Sequence, residues 1–148
     1  MGTGGGGGSQ SAGYQIGSYW SPGGLPTGYK NLLASSGSVG YPAGYLALQL
    51  NGSNYSVTSG KTLTVTHLIF SVGMPSPAQN GYVNFGYAND AVGTGFVTQY
   101  SFYIPSIAEN LSMDLELAYT IPAGKFPLIQ NMTNATCVAS VIMQGMEQ

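Results

Sequence analysis

The chain has 148 residues, of which 43% are hydrophobic and only 5% are charged, with a net charge of −2 and no arginine. Enzymes and nucleic-acid-binding proteins concentrate ionisable side chains where they transfer protons or bind phosphate, so this composition argues against both classes. No apolar run approaches the ~20 residues of a membrane-spanning helix, and the N-terminus lacks the basic and apolar stretches of a signal peptide. We therefore expect one structural or binding domain, with no cofactor, no nucleic acid and no membrane among its partners.

Residues 1–44 are dominated by Gly, Ser, Tyr and Pro and include an unbroken glycine run at 4–8. Glycine loses more backbone freedom on ordering than any other residue, so we predict an extended arm that needs a partner to hold it. Aromatic and apolar anchors would dock this arm on a neighbouring subunit. These predicted contact residues are Tyr14, Ile16, Tyr19, Trp20, Leu25 and Tyr29. The alternative is an arm folded back over its own domain.

Residues 45–148 contain one alternating apolar run after another, separated by turn signals such as Asn51-Gly52. The clearest run, 111–121, alternates leucine, methionine and tyrosine with polar residues, which predicts an antiparallel strand with one buried and one solvated face. In the run 62–72 the apolar phase slips by one residue near His67, which predicts a β-bulge. We predict an all-β domain, a single antiparallel β-sandwich or jelly roll, for residues 45–148.

A short motif recurs within this domain. The segment 55–61 reads Tyr-Ser-Val-Thr-Ser-Gly-Lys, and the segment 119–125 reads Tyr-Thr-Ile-Pro-Ala-Gly-Lys. In each, glycine would supply the unusual turn dihedral, while the lysine ammonium stays in water. The two segments are expected at equivalent corners of the sandwich, or as two independent hairpin turns of similar sequence.

The chain offers few residues for catalysis. His67 is the single histidine and lies mid-strand, and neither Asp90 nor Asp114 is linked to it by a sequence motif. Asp114 and Glu116 would share one strand face, where paired carboxylates serve glycoside hydrolysis or bind Ca²⁺, but solvation or a subunit contact is the commoner role. Cys137 is the single cysteine and lies in an apolar run, so we predict a core position for it. We expect no enzyme activity and no metal site.

From Tyr55 to Gln148 the chain resembles the small jelly-roll domains of tailed-phage capsid decoration (cement) proteins and head fibres. The matching features are the two Gly-Lys turn segments above and a closing apolar strand that ends in Gly145-Met146-Glu147. The resemblance implies a virion protein on the capsid surface, a homotrimer clamped over junctions between major capsid protein subunits. It implies no catalytic residues. The Gly/Tyr-rich arm matches no motif of that family.

Two other functions stay open. Five Asn-X-Ser/Thr triplets fit the N-glycosylation pattern, as in a subunit of an extracellular filament that donates its arm to the next subunit. They begin at Asn51, Asn54, Asn110, Asn131 and Asn134. The chain is alternatively a carbohydrate- or receptor-binding virion protein that uses exposed aromatic side chains such as Tyr82 or Tyr100.

Overall fold

A computed structural model describes residues 13–16, 19–22, 27–40, 44–73, 81–105, 111–133 and 136–148. These ranges contain strands and turns and no helix, and therefore no helix that could cross a bilayer. In chain order the strands are β1 (Gly13–Ile16), β2 (Tyr19–Pro22), β3 (Tyr29–Val39), β4 (Gly44–Ala47), β5 (Gln49–Leu50), β6 (Ser53–Asn54), β7 (Leu63–Gly73), β8 (Gly81–Ala88), β9 (Val97–Ile104), β10 (Leu111–Ile121), β11 (Phe126–Thr133) and β12 (Cys137–Glu147).

Ten of the described strands form two sheets that pack as layers. The larger sheet has the order β10-β7-β12-β3-β5-β6 and the smaller one the order β4-β11-β8-β9. Every pairing within them is antiparallel. The predicted antiparallel β-sandwich is therefore confirmed, and the jelly-roll connectivity within that class stays a prediction.

Strand β3 lies in the range predicted as an extended arm, yet it is an inner strand of the larger sheet. It pairs with β12 along most of its length, with Tyr29 opposite Met146 and Val39 opposite Cys137. Its Leu32 side chain is fully buried in the core. The sheet thus reaches back at least to residue 29, because a few apolar side chains at alternate positions suffice to bury a Ser-rich strand.

The core lies between the two sheets and is centred on aromatic rings. Phe70 of β7 meets Phe85 of β8 at 5.0 Å and Phe102 of β9 at 5.1 Å between ring centroids. Such tilted and edge-on pairs add about 0.5–1.5 kcal/mol each beyond the burial of the rings. The predicted core position of Cys137 is confirmed, since its side chain is buried in the same cluster.

The predicted β-bulge is confirmed in β7. His67 lies opposite Gln144 of β12, and Val65 lies opposite Gly145, so one extra residue, Thr66, is inserted on β7. The pairing with β10 shifts at the same place. The bulge lets Val65 and Leu68 both face the core although they are three residues apart.

The two Gly-Lys segments form turns of the same kind. Gly60 and Gly124 have φ values of 77° and 76°, which suit glycine. In each turn the lysine N–H donates to the carbonyl three residues earlier, from Lys61 to Thr58 and from Lys125 to Pro122. The turns are also neighbours, because Val57 exchanges backbone hydrogen bonds with Gly124 and Lys125.

Candidate interaction surfaces

Strand pairing brings together acidic and imidazole groups that the sequence left separate. His67 lies opposite Glu116, and its Nε2 is in hydrogen-bond contact with Asp114 Oδ1. Asp90 keeps its hydrogen bonds within its own loop, where its Oδ1 accepts the N–H groups of Val92 and Thr94. The contact between His67 and Asp114 follows from the register of β7 and β10, which no sequence motif encodes.

The described residues add little reactive chemistry to that pair. Burial raises the pKa of the Cys137 thiol to about 11, against a smaller opposing effect of its own backbone, so the thiol is neutral at physiological pH. Across the described ranges no group of three or more His, Cys, Asp or Glu side chains is placed to hold a metal ion. The expectation of no enzyme activity stays a prediction.

Sequence analysis missed a buried carboxylate at the end of β12. Glu147 is 5% exposed, and its Oε2 accepts the Tyr55 hydroxyl and the Thr58 N–H, the latter at 2.7 Å. Its Oε1 accepts the Thr58 hydroxyl at 2.9 Å and lies 3.8 Å from Lys30 Nζ. Burial opposes ionisation, but these donors and the lysine outweigh it and lower the pKa of Glu147. The cluster ties β3 and β12 to the segment that precedes β7.

The outer face of the larger sheet carries an apolar patch, which we call the sheet patch. Ile69 of β7, Ile142 of β12 and Leu33 of β3 lie opposite one another in a single row. Adjacent strands are about 4.8 Å apart, so the row spans about 10 Å. Val138 also points outward from β12, and it and Leu33 are each 48% exposed.

Two shallow depressions continue the sheet patch along the same face. One, of about 300 Å³, lies over Ile69 and Ile142 and is bordered by Ser71, Ser112 and Ser140. The other, of about 480 Å³, runs beside Leu33 and is bordered by residues of β3 and of the β5–β6 turn. Charge enters this surface from the β10 side, where Asp114 lies opposite Ile69. The centre is apolar with hydroxyl and amide neighbours, the composition of a protein contact.

The sandwich is incompletely closed along one side. β9 is the last strand of the smaller sheet, and β10 is the last strand of the larger one. The core-facing side chains of β10 are only partly buried, unlike those of β7 and β12; they are Leu111, Met113, Leu115 and Leu117. Tyr100 and Phe102 of β9 are likewise half-buried at this side. We call this surface the open side.

The predicted exposed aromatics differ in position. Tyr82 is 50% exposed and meets Tyr103, also 50% exposed, at 5.5 Å between ring centroids. Tyr100 instead packs against the core, so its predicted exposure is wrong. It differs because inward and outward positions alternate along β9, where Tyr103 is on the exposed face. Sugar binding by the Tyr82–Tyr103 pair stays a prediction.

The glycosylation triplets also differ. Asn51 and Asn54 are exposed at the β5–β6 turn. Asn131 is fully buried, and its amide donates to the carbonyls of Val39 and Gly40 at 3.0 and 2.8 Å, while its oxygen accepts from Thr133. A folded chain cannot offer Asn131 to a transferase. The triplets at Asn110 and Asn134 lie outside the described residues.

The predicted arm contacts are only partly within the described ranges. Tyr14 and Ile16 lie on β1 and Tyr19 and Trp20 on β2, and these strands pair with each other as a hairpin. Tyr29 begins β3 and is half-buried. Leu25 lies outside the described residues, as do 1–12. Whether any of them contacts another subunit stays a prediction.

No protein-family model, curated protein or solved structure matches the chain. The argument for function therefore depends on these surfaces.

Proposed function

We propose that the chain is a virion structural protein, a capsid decoration (cement) protein. In this proposal a homotrimer binds the outer surface of the capsid and holds major capsid protein subunits together by passive contacts. The observation that carries the proposal is the sheet patch. Its central row of Leu33, Ile69 and Ile142 is apolar, in register and open to solvent.

The shape and chemistry of the sheet patch favour a protein partner over a small molecule. Its depressions are shallow, whereas small-molecule sites are clefts that enclose most of their ligand. Serine hydroxyls border the patch at Ser71 and Ser140 and would hydrogen-bond a partner without the desolvation cost of buried charges. A flat apolar centre with a polar rim is the usual anatomy of a protein–protein contact.

A second candidate function is supported by a different surface. The open side exposes the edges of β9 and β10 together with half-buried apolar side chains. Such an edge is a template for a strand from another chain, as in subunits of extracellular filaments. The two functions differ in the partner, which is a capsid in the first and further copies of this chain in the second.

Co-sedimentation with capsids of the encoding virus that lack this chain would test the first function. We expect the wild-type chain to co-sediment and Leu33→Lys to bind at least about tenfold more weakly, because lysine places a charge in the apolar row. The matched control is Tyr82→Lys, which replaces a side chain of similar exposure on the smaller sheet. Absence of the wild-type chain from purified particles, or undiminished binding of Leu33→Lys, would overturn the proposal.

A further inference from the structure

The open side has the form of a sandwich that lacks one strand. The smaller sheet ends at β9, and Phe70 of β7 already packs over Phe85 and Phe102 of β8 and β9. β10, on the far side of β7, therefore extends past the edge of the smaller sheet. Its core-facing row, from Leu111 to Leu117, stays partly exposed for this reason. A strand added beside β9 would lie opposite that row and cover it.

The backbone of β9 is available for such a strand. Within the described ranges β9 pairs on one side with β8, and no strand lies on its other side. Its sequence, Val97–Ile104, carries no charged residue. Charged side chains and proline are common protections of an exposed edge, and the interior of β9 has neither. Its bulge, where Thr98 and Tyr100 follow one another opposite Gly86 and Phe85, leaves the stretch from Tyr100 to Ile104 regular.

The edges of a second copy fit this position poorly. Pairing β10 antiparallel with its own copy would bring Asp114 and Glu116 of both chains together, which is unfavourable. Pairing β9 with its own copy would place the two projecting β10 strands over the same part of the joined sheet. The strand that fits is therefore uncharged and comes from a different segment.

The hairpin β1–β2 meets these requirements. In the described part of the chain its two strands pair only with each other, and not with β9 or β10 of the same molecule. A two-stranded hairpin is at best marginally stable in water, so a neighbouring sheet would stabilise it. The first charged side chain of the sequence is Lys30, so the hairpin brings no charge to the apolar row.

We propose that the β1–β2 hairpin of one copy adds to the free edge of β9 in a second copy and fills the open side opposite β10. This contact is heterologous: each copy donates a hairpin and accepts another, so copies form a closed ring or an open filament. The proposal concerns contacts between copies, and it can hold or fail whether or not the sheet patch binds a capsid.

Two full-length variants test the donor and acceptor separately. Leu115→Lys places a charge in the core-facing row of β10, and Ile16→Lys places one in β1. We expect each variant alone to be a monomer by light scattering under conditions where the wild-type chain is oligomeric, with at least about tenfold weaker association. The matched control Ser112→Lys alters the opposite face of β10 and should keep the wild-type mass. Circular dichroism checks that each variant retains its strands.

Mixing the two variants is the decisive step. The Leu115→Lys chain keeps an intact hairpin and the Ile16→Lys chain keeps an intact acceptor, so an equimolar mixture should form heterodimers and nothing larger. A mixture that stays monomeric, or a wild-type chain that is itself monomeric, would overturn the proposal. If Leu115→Lys does not fold, hydrogen exchange of the wild-type chain decides. Amides of Val97–Ile104 should gain protection as concentration rises, and unchanged exchange there would overturn the proposal.

Discussion

Substitution of the buried carboxylate, Glu147→Gln, should destabilise the fold strongly. Oε2 accepts two hydrogen bonds, one from the Tyr55 hydroxyl and one from the Thr58 N–H. A glutamine amide keeps one oxygen, which can still serve the Thr58 hydroxyl, but places an NH₂ group where Oε2 was. The Tyr55 hydroxyl can rotate to accept from that group, whereas the Thr58 N–H can only donate and is left without a partner.

The size of the effect follows from these contacts. Hydrogen bonds to a charged group contribute about 1.5–3 kcal/mol each, and an unpaired buried donor costs about 1–3 kcal/mol. The exposed lysine at 3.8 Å adds little by comparison. We therefore expect a loss of about 3 kcal/mol in the free energy of unfolding. For a domain of this size that corresponds to a fall of roughly 10 °C in Tm.

The pH dependence gives a second measure of the same effect. The pKa of Glu147 is lowered in the folded chain, so its ionisation stabilises the fold fully above the unfolded-state pKa of about 4.3. That stabilisation is lost as the pH falls through the lower folded-state pKa. The wild-type chain should therefore lose stability in this acidic range more steeply than Glu147→Gln, and the difference between them should shrink.

Urea unfolding followed by circular dichroism, at one fixed protein concentration, measures both quantities. The matched control is Glu116→Gln, which removes an exposed carboxylate on β10 and should change the free energy of unfolding by no more than about 0.5 kcal/mol. Equal stabilities of the two variants, or a Glu147→Gln chain as acid-sensitive as the wild type, would refute the reasoning.

Two further predictions concern the core and a turn. Cys137 should resist alkylation at about pH 8 in the folded chain and react once urea unfolds it, because burial raises its pKa to about 11; rapid native labelling, read by mass spectrometry, would contradict this. Gly28→Ala should cost more than about 2 kcal/mol, since φ is 89° and the new Cβ would lie 2.2 Å from the Glu147 carbonyl oxygen. Gly60→Ala, with φ of 77° but open space, should cost only about 1 kcal/mol by thermal unfolding, and equal losses would show that the clash is relieved.

Local pattern predicted much of the sheet structure, because side chains alternate strictly between the two faces of a strand. The run Leu111–Ile121 was predicted as one strand and forms β10. The phase slip in 62–72 predicted the bulge that the structure has at Thr66. Strand β3 was missed because its Ser- and Gly-rich composition resembles an arm, and only the pairing with β12 makes it an inner strand.

The sequence by itself determined the fold class, the strands with strong alternation and the scarcity of reactive groups, since these depend on residues close together in the chain. The tertiary structure decided which distant residues meet. Strand pairing placed Asp114 on His67, aligned Leu33, Ile69 and Ile142 in the sheet patch, and left the row on β10 half covered. Sheet packing buried Glu147 and Asn131, two polar residues that sequence alone places on the surface. Register between strands distant in sequence is a property of the assembled sheet, and a single strand does not encode it.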